Sequence, residues 1–186
     1  MGQIRRLRFD ELAPVLQDVL RAKVERLGYL GEFFAVGGHQ PEATAAFQSF
    51  TEALKHALPA ELTEVVALTV ASVLGNGYEQ SQHERLARTL GFSEGWIAAA
   101  VGRGDPTALS ARAGVARQLA LAVVDRYGHE AAGELERAVD ELGEEAAVGV
   151  LLTVGRYVAH ALVANTLELV APVEGVLPPA GVGSAR

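Results

Sequence analysis

The sequence contains no cysteine among its 186 residues. This absence excludes disulfide bonds, thiolate nucleophiles, cysteine-ligated metals and any dithiol redox cycle. Basic residues are also scarce, with 16 Lys and Arg against 23 Asp and Glu, and the formal net charge is −7. Nucleic acids and anionic membrane surfaces repel such a chain. We therefore expect neither as a partner.

Long uninterrupted hydrophobic runs are missing as well. The longest candidate, residues 146–169, is interrupted by Arg156, His160, Asn165 and Glu168, whereas a membrane span needs about 20 mostly apolar residues. The first residues lack the apolar core of a secretory signal. Because 49% of the residues are hydrophobic, the chain can bury a core without help from a disulfide or a metal. We expect a soluble, cytoplasmic protein.

The patterns that are present are helical. Apolar residues recur at spacings of three and four, and no two segments show the alternation of a β-hairpin. We therefore predict an all-α fold of about eight helices. The predicted helices cover residues 11–27, 41–56, 60–74, 77–90, 94–101, 106–127, 129–142 and 144–169. Capping residues are predicted at Asp10, Asn76, Ser93 and Asp105.

Three further features concern how the chain is organised. The helix predicted over residues 60–74 is apolar around most of its circumference, which is typical of the centre of a core. Residues 29–38, rich in glycine and phenylalanine, are predicted to form a loop or a short turn. The glycines at 102–104 mark a candidate boundary between two helical halves that share one core.

The segment from Glu64 to His83 carries the most informative polar residues. Glu79 and His83 are four residues apart and share a helix face. A carboxylate beside an imidazole is a common acid–base unit, because the carboxylate orients the ring and raises its basicity. Tyr78 is a candidate donor to a developing oxyanion. The free N–H groups of the helix start that follows Asn76 favour an anionic substrate.

A purely structural interpretation of the same residues stays open. Asn76 followed by Glu79 matches a capping box, and Glu79 with His83 is also typical of a surface pair. Glu64 suits the dipole of the helix start. Arg156 is a candidate clamp for a substrate carboxylate or a structural arginine. Glu64, Glu79 and His83 are also candidate metal ligands, but this ligand set is not distinctive, and we predict no metal.

Several short motifs resemble those of a known superfamily. They are the segment 58–68, the Tyr-Glu-x-x-x-His pattern of residues 78–83 and the Gly-Phe-Ser-Glu sequence of residues 91–94. A weaker match is Gly-Arg-Tyr at 155–157 followed by Asn165. Together they resemble the carboxymuconolactone decarboxylase and alkylhydroperoxidase D-like superfamily, mainly over the middle third of the chain.

The resemblance also shows a departure from the peroxidase members of that superfamily. Those members carry a glutamate twelve residues before the first cysteine of a Cys-x-x-Cys-x-x-x-His motif. Glu64 matches the glutamate and His83 the histidine, whereas Asn76 and Glu79 stand at the cysteine positions, and Tyr78 replaces a second histidine. A disulfide-cycling peroxidase cannot work without thiols. The chain resembles instead the subgroup that carries Tyr-Glu-x-x-x-His.

The resemblance implies an alkylhydroperoxidase D-like helical bundle that uses no cofactor and assembles as a trimer or hexamer. We accordingly divide the chain into an N-terminal helix and loop (1–40), a carboxymuconolactone decarboxylase-like domain (41–171) and a loose tail (172–186). We predict acid–base chemistry on a small organic acid or carbonyl compound: decarboxylation, isomerisation or lactone hydrolysis. The predicted catalytic residues are His83, Glu79, Glu64 and Tyr78, and the predicted substrate-binding residues are Asn76 and Arg156.

The alternative is a non-catalytic helical oligomer that binds a small ligand or a partner protein. It predicts that Glu79 and His83 face solvent and point away from each other.

Overall fold

The computed structural model describes residues 4–178, and every regular element in that range is helical. This confirms the predicted all-α class. The helices of the described range are α1 (Pro14–Leu27), α2 (Glu32–Gly37), α3 (Pro41–Ala57), α4 (Ala60–Val73), α5 (Gly77–Thr89), α6 (Glu94–Ala100), α7 (Ala111–Asp125), α8 (Ala132–Leu142) and α9 (Glu144–Thr166). Short 3-10 turns cover Phe9–Glu11 and Pro106–Ala108.

Helix α4 lies at the centre of the larger hydrophobic cluster, as its composition predicts. It packs against α5, α7 and α9. The consecutive residues 65–68 are fully inaccessible to solvent, so side chains on every side of the helix are buried. A helix that is apolar around its whole circumference can bury its apolar surface on all sides only inside a bundle.

A second, smaller hydrophobic cluster joins the N-terminal elements to the end of α9. Its members include Leu16, Leu20, Phe33, Phe34 and Ala164. Helices α6 and α7, which lie before and after the glycines at 102–104, both belong to the larger cluster, so the segments on either side of these glycines share one core, as the sequence leads us to expect. The two clusters adjoin along α5 and α9, because Tyr78 and Ala164 belong to the smaller cluster and Ala87 and Tyr157 to the larger one.

Local burial explains why the predicted loop at residues 29–38 contains α2. Phe33 and Phe34 are both buried on this short helix, and a single helical turn satisfies its backbone groups while they are removed from water. The N-terminal boundary also differs from the prediction. Asp10 lies in a 3-10 turn, and α1 begins at Pro14, a residue suited to the first helical position.

Two predicted helices begin later than expected for identifiable reasons. The helix predicted from Pro106 makes only a 3-10 turn, and α7 begins at Ala111 because the Ser110 hydroxyl caps it by accepting from the backbone N–H of Ala113. Helix α8 begins at Ala132 because Tyr127 and Glu130 before it have positive φ angles of 53° and 52°.

Among residues 4–178, α9 is the one helix long and apolar enough to cross a membrane by length and composition alone. Half of its most apolar window is buried inside the protein, and it packs against α3, α4, α7 and α8. These contacts are those of a core helix in a bundle.

The residues after α9 run back across α5. We call residues 173–178 the C-terminal strap. Glu84 on α5 holds it, because the Glu84 Oε2 atom accepts from the backbone N–H groups of Val176 at 2.7 Å and Leu177 at 3.0 Å. The described part of the predicted tail is thus held against the bundle, and residues 179–186 lie outside the described range.

Candidate active site

Glu79 and His83 lie on helix α5, where the two hydrophobic clusters meet. The Asn76 side chain caps the helix by accepting from the backbone N–H of Glu79 at 3.2 Å. The spacing of four then places Glu79 and His83 on one face, with Glu79 Oε2 and His83 Nε2 at 3.2 Å. Both side chains point inward, contrary to the arrangement that the non-catalytic alternative predicts.

The two ring nitrogens of His83 have different partners. Nδ1 lies 2.8 Å from Oε2 of Glu64, which is buried on α4. Nε2 lies 3.2 Å from Glu79 and 3.1 Å from the hydroxyl of Tyr157 on α9. A carboxylate at Nδ1 fixes the orientation of the ring and leaves Nε2 to exchange protons.

Burial alone would lower the pKa of His83, but the Glu64 and Glu79 carboxylates outweigh it and raise the pKa to about 9. The ring is therefore an imidazolium at neutral pH, and both of its nitrogens donate hydrogen bonds. The Tyr157 oxygen must then accept from Nε2, which leaves its own proton available. Burial raises the pKa of Tyr157 far above its ordinary value, so this residue stays a phenol.

Glu79 is shared between α5 and α9. Its Oε1 atom accepts from Arg156 Nη1 at 3.0 Å and from His160 Nε2 at 3.0 Å. Burial alone would raise the pKa of Glu79, but His160, Arg156 and His83 together hold it well below its usual range. Glu79 is therefore a charged hydrogen-bond acceptor and a weak base.

His160 differs from His83 although both contact Glu79. Its ring stacks on Phe33 of α2, with centroids 4.1 Å apart, and its Nδ1 faces the Asn76 amide at 3.5 Å. Burial lowers the pKa of His160 to about 4, although Glu79 opposes the shift. A neutral ring that donates from Nε2 to Glu79 fits these partners.

A cavity of about 370 Å³ opens onto this network. Its inner wall is formed by Glu79, His83, Tyr157, Arg156 and His160, and its other walls by α1, α2 and α3. Small-molecule sites combine an apolar wall with a few convergent polar groups. The cavity thus has the size and the lining of a small-ligand site. In the described part of the chain, no group of three or more His, Asp or Glu side chains is arranged to hold a metal.

The predicted site residues are distributed unequally over this network. Glu79, His83 and Arg156 line the cavity. Glu64 is not among the lining residues, and it contacts Nδ1 of His83 from α4. Asn76 is buried, caps α5 and contacts His160, so its contacts position other residues. Tyr78 also lines the cavity, but it is not the tyrosine that contacts His83.

The hydroxyl of Tyr78 lies instead against the backbone of Gly31 and Phe33. A Cβ atom on Gly31 would come within 2.8 Å of that hydroxyl, so glycine is required for this approach. Sequence reasoning assigned the donor role to Tyr78 and missed Tyr157 and His160. The available signal was the run of polar residues at 156, 157 and 160 in an otherwise apolar helix, two of them four residues apart.

Comparison with known families and structures agrees with the geometry. Residues 41–122 match the sequence model of the carboxymuconolactone decarboxylase family. A search of curated proteins gave no significant match.

Solved structures with the same fold include two of the debrominase Bmp8. The apo form has a TM-score of 0.79 at 18% identity over 92% of each chain. A cysteine-to-alanine variant in complex with 2,3,4-tribromopyrrole has a TM-score of 0.78 at 19% identity over 91% of each chain. A protein of unknown function from Agrobacterium tumefaciens, whose name relates it to AhpD, has a TM-score of 0.66 at 17% identity, over 74% of this chain and 96% of its own. At these identities the likeness establishes the fold alone.

Proposed function

We propose that this protein is an enzyme that transfers protons to a small organic acid or carbonyl compound without a thiol. The match of residues 41–122 to the carboxymuconolactone decarboxylase family model supports this proposal. The observation that carries the proposal is the position of His83. Its ring is held between two carboxylates, and its Nε2 atom lies 3.1 Å from a cavity-lining phenol.

The charge of His83 decides which step such a site favours. An imidazolium offers a proton at the start of the reaction, whereas the nearest carboxylate on the same wall, Glu79, is a weak base. Reactions that begin by stabilising negative charge on a carbonyl oxygen are therefore favoured over those that begin by removing a C–H proton. Isomerisation needs a base to remove a C–H proton and lactone hydrolysis needs a base to activate water, whereas decarboxylation needs neither, so the protonated His83 favours decarboxylation.

In the proposed step, the bond between the carboxylate and the adjacent carbon breaks, and carbon dioxide leaves. The electron pair of that bond moves onto the neighbouring carbonyl to form an enolate oxygen. Tyr157 gives its proton to that oxygen and takes the Nε2 proton of His83. Water then protonates the carbon, and the enol proton returns through Tyr157 to His83 and restores the imidazolium. The hydroxide left by water combines with the released carbon dioxide as bicarbonate, so atoms and charge balance. A pre-positioned donor at a developing oxyanion typically contributes about 100- to 1,000-fold to a rate.

The similar fold of Bmp8 supports a small ligand. The solved complex of that debrominase contains a small halogenated ring. A ring of that size suits the cavity of about 370 Å³ in this chain. Debromination is not proposed, since this chain has no cysteine.

The test is a decarboxylation assay on a panel of small β-keto acids and carboxylated lactones in D₂O. Product formation and deuterium incorporation at carbon are followed by NMR. We expect His83→Gln to lower turnover at least about 100-fold and Tyr157→Phe to lower it similarly, with unchanged helical circular dichroism. His56→Gln, which changes an exposed histidine at the end of α3, is the matched control and should be neutral. An active His83→Gln enzyme would contradict the mechanism.

We also propose that the protein self-associates through α9, as a trimer or hexamer. Four apolar side chains along its outer face are 42–62% exposed: Val148, Leu152, Leu162 and Val163. An exposed apolar stripe of this kind is typical of a protein interface. Light scattering should give a molar mass of three or six times 19.6 kDa. The Leu162→Glu variant should have a lower molar mass. A monomeric wild-type protein would exclude this assembly.

A further inference from the structure

Helix α1 contributes a lysine to a position where its helix predicts an apolar side chain. Leu16 and Leu20 are fully buried on the inner face of α1, and Lys23 follows on the same face at helical spacing. Its side chain is half-buried and lines the cavity together with His83 and Tyr157. A lysine in such a position costs folding free energy unless its ammonium group gains a partner.

Lys23 has an aromatic partner but no anionic one. Its Nζ atom lies 4.5 Å from the centroid of the Phe34 ring, and no carboxylate oxygen within residues 4–178 lies within 4 Å of it. Two other cations that line the cavity are already neutralised. Lys55 pairs with Glu52 at 2.8 Å, and Arg156 pairs with Glu79 at 3.0 Å.

The balance of charge in the cavity is positive in spite of the acidic chain. The lining includes the basic residues Lys23, Arg26, Lys55, Arg85 and Arg156, and its single acidic residue is Glu79. With Lys55 and Arg156 paired to Glu52 and Glu79, the charges of Lys23, Arg26 and Arg85 remain. Burial also lowers the pKa of Lys23 to about 8, so the amine is poorly solvated, and an anion placed beside it would be strongly favoured. Aromatic rings of Tyr29, Phe33 and Phe34 complete this side of the cavity.

We propose that Lys23 binds a carboxylate of the substrate and thereby makes the cavity selective for small, flat organic anions. This inference rests on the proposed function for the identity of the ligand as a substrate. The carboxylate at Lys23 is one that the reaction retains, because an ion pair to the departing carboxylate would stabilise the ground state and oppose its loss. Lys23 lies outside the matched segment 41–122, so the N-terminal helix supplies the specificity, whereas the acid–base groups His83 and Tyr157 come from α5 and α9.

The experiment compares benzoate with benzamide, two flat molecules of nearly equal shape that differ in charge. Calorimetric or NMR titration measures the dissociation constant of each with the full-length protein. We expect wild type to prefer benzoate by about 10- to 100-fold, the range of a hydrogen bond to a charged group. Lys23→Met should remove that preference, because methionine keeps the length and the apolar contacts of the side chain but not the charge. Urea unfolding should show that this variant is at least as stable as wild type.

Lys55→Met is the matched control, since Lys55 lines the same cavity but is already paired with Glu52. It should keep the preference for benzoate. Equal binding of benzoate and benzamide to wild type, no binding of benzoate, or a preference that survives in Lys23→Met would each overturn the proposal. So would a covalent adduct on Lys23 trapped by borohydride with a keto acid, because the amine would then be a nucleophile.

The same titration on His83→Gln separates this inference from the proposed function. A preference for benzoate that persists in that variant supports the role of Lys23, whether or not the wild type decarboxylates any member of the substrate panel. Loss of the preference in His83→Gln would place the anion at the imidazolium and overturn the assignment to Lys23.

Discussion

Helix α5 carries two buried glutamates little more than one turn apart, and their surroundings differ. Glu79 is 6% exposed and Glu84 is 2% exposed, so burial does not distinguish them. Glu79 contacts the charged or titratable side chains of Arg156, His83 and His160 on a cavity wall. Glu84 accepts from two backbone N–H groups of the C-terminal strap and from the Gln80 amide at 2.8 Å, and its Oε1 atom lies 3.6 Å from the Arg103 guanidinium.

The comparison shows that the partners of a buried carboxylate, not its burial, indicate its role. Within residues 4–178, Glu84 contacts no histidine, and its contacts to the strap amides and to Arg103 hold the C-terminal strap and that arginine in place. The side chains around Glu79 can change charge or exchange protons. A ligand that enters the cavity therefore alters the surroundings of Glu79 and leaves those of Glu84 unchanged.

The largest expected effect comes from removing each carboxylate in turn. Glu79→Ala leaves the Arg156 guanidinium buried without its partner, so we expect a loss of about 3–5 kcal/mol in the free energy of unfolding. Glu84→Ala leaves two backbone N–H groups unsatisfied, and we expect a loss of about 1–3 kcal/mol. Urea unfolding at neutral pH measures both values. A larger loss for Glu84→Ala would contradict the comparison.

Two local measurements separate the roles of these carboxylates. Hydrogen exchange at the amides of Val176 and Leu177 should accelerate in Glu84→Ala and stay unchanged in Glu79→Ala. Turnover should be lost in Glu79→Ala and retained in Glu84→Ala. Faster exchange of the strap amides in both variants would mean that the strap and the cavity are coupled.

Local chemistry made one side of the site predictable. The Asn76 cap determines where α5 begins, and the spacing of four places Glu79 and His83 on one face. The match of Glu64 to the superfamily pattern then identified the partner of His83 in the preceding helix. Each of these inferences used residues within 20 positions of one another.

The other side of the site could not be predicted in the same way. Tyr78 precedes Glu79 directly, but consecutive helical residues do not face each other, and the Tyr78 hydroxyl points towards α2. The phenol at His83 comes from Tyr157, 74 positions further along the chain. Only the packing of α9 against α4 and α3 brings it there, and neither periodicity nor capping specifies that packing. For the same reason, no pattern linked Lys23 to His83.

A pH titration tests the difference between Glu79 and Glu84 through His83, the titratable side chain that contacts Glu79. The pKa of His83 is raised from 6.5 to about 9 by the Glu64 and Glu79 carboxylates, against the opposing effect of burial. A folded-state pKa above the unfolded value stabilises the fold fully below pH 6.5, and this stabilisation is lost as the pH rises to about 9. The stability difference between wild type and His83→Gln should therefore shrink by about 3 kcal/mol over that range.

The comparison of wild type with His83→Gln cancels the contribution of Lys23, the main other group that titrates in this range. The pKa of Lys23 is lowered to about 8 by burial, and its contribution has the opposite sign, because the neutral amine favours the folded state as the pH rises. Lys23 is present in both proteins, so the difference between wild type and His83→Gln reports mainly on His83. The matched pair of wild type and Glu84→Gln should show a constant difference over the same range, since the partners of Glu84 at the strap are backbone amides. A constant difference for His83→Gln as well would mean that this ring is neutral at pH 7, and the proton donor of the proposed mechanism would then have to be sought elsewhere on the cavity wall.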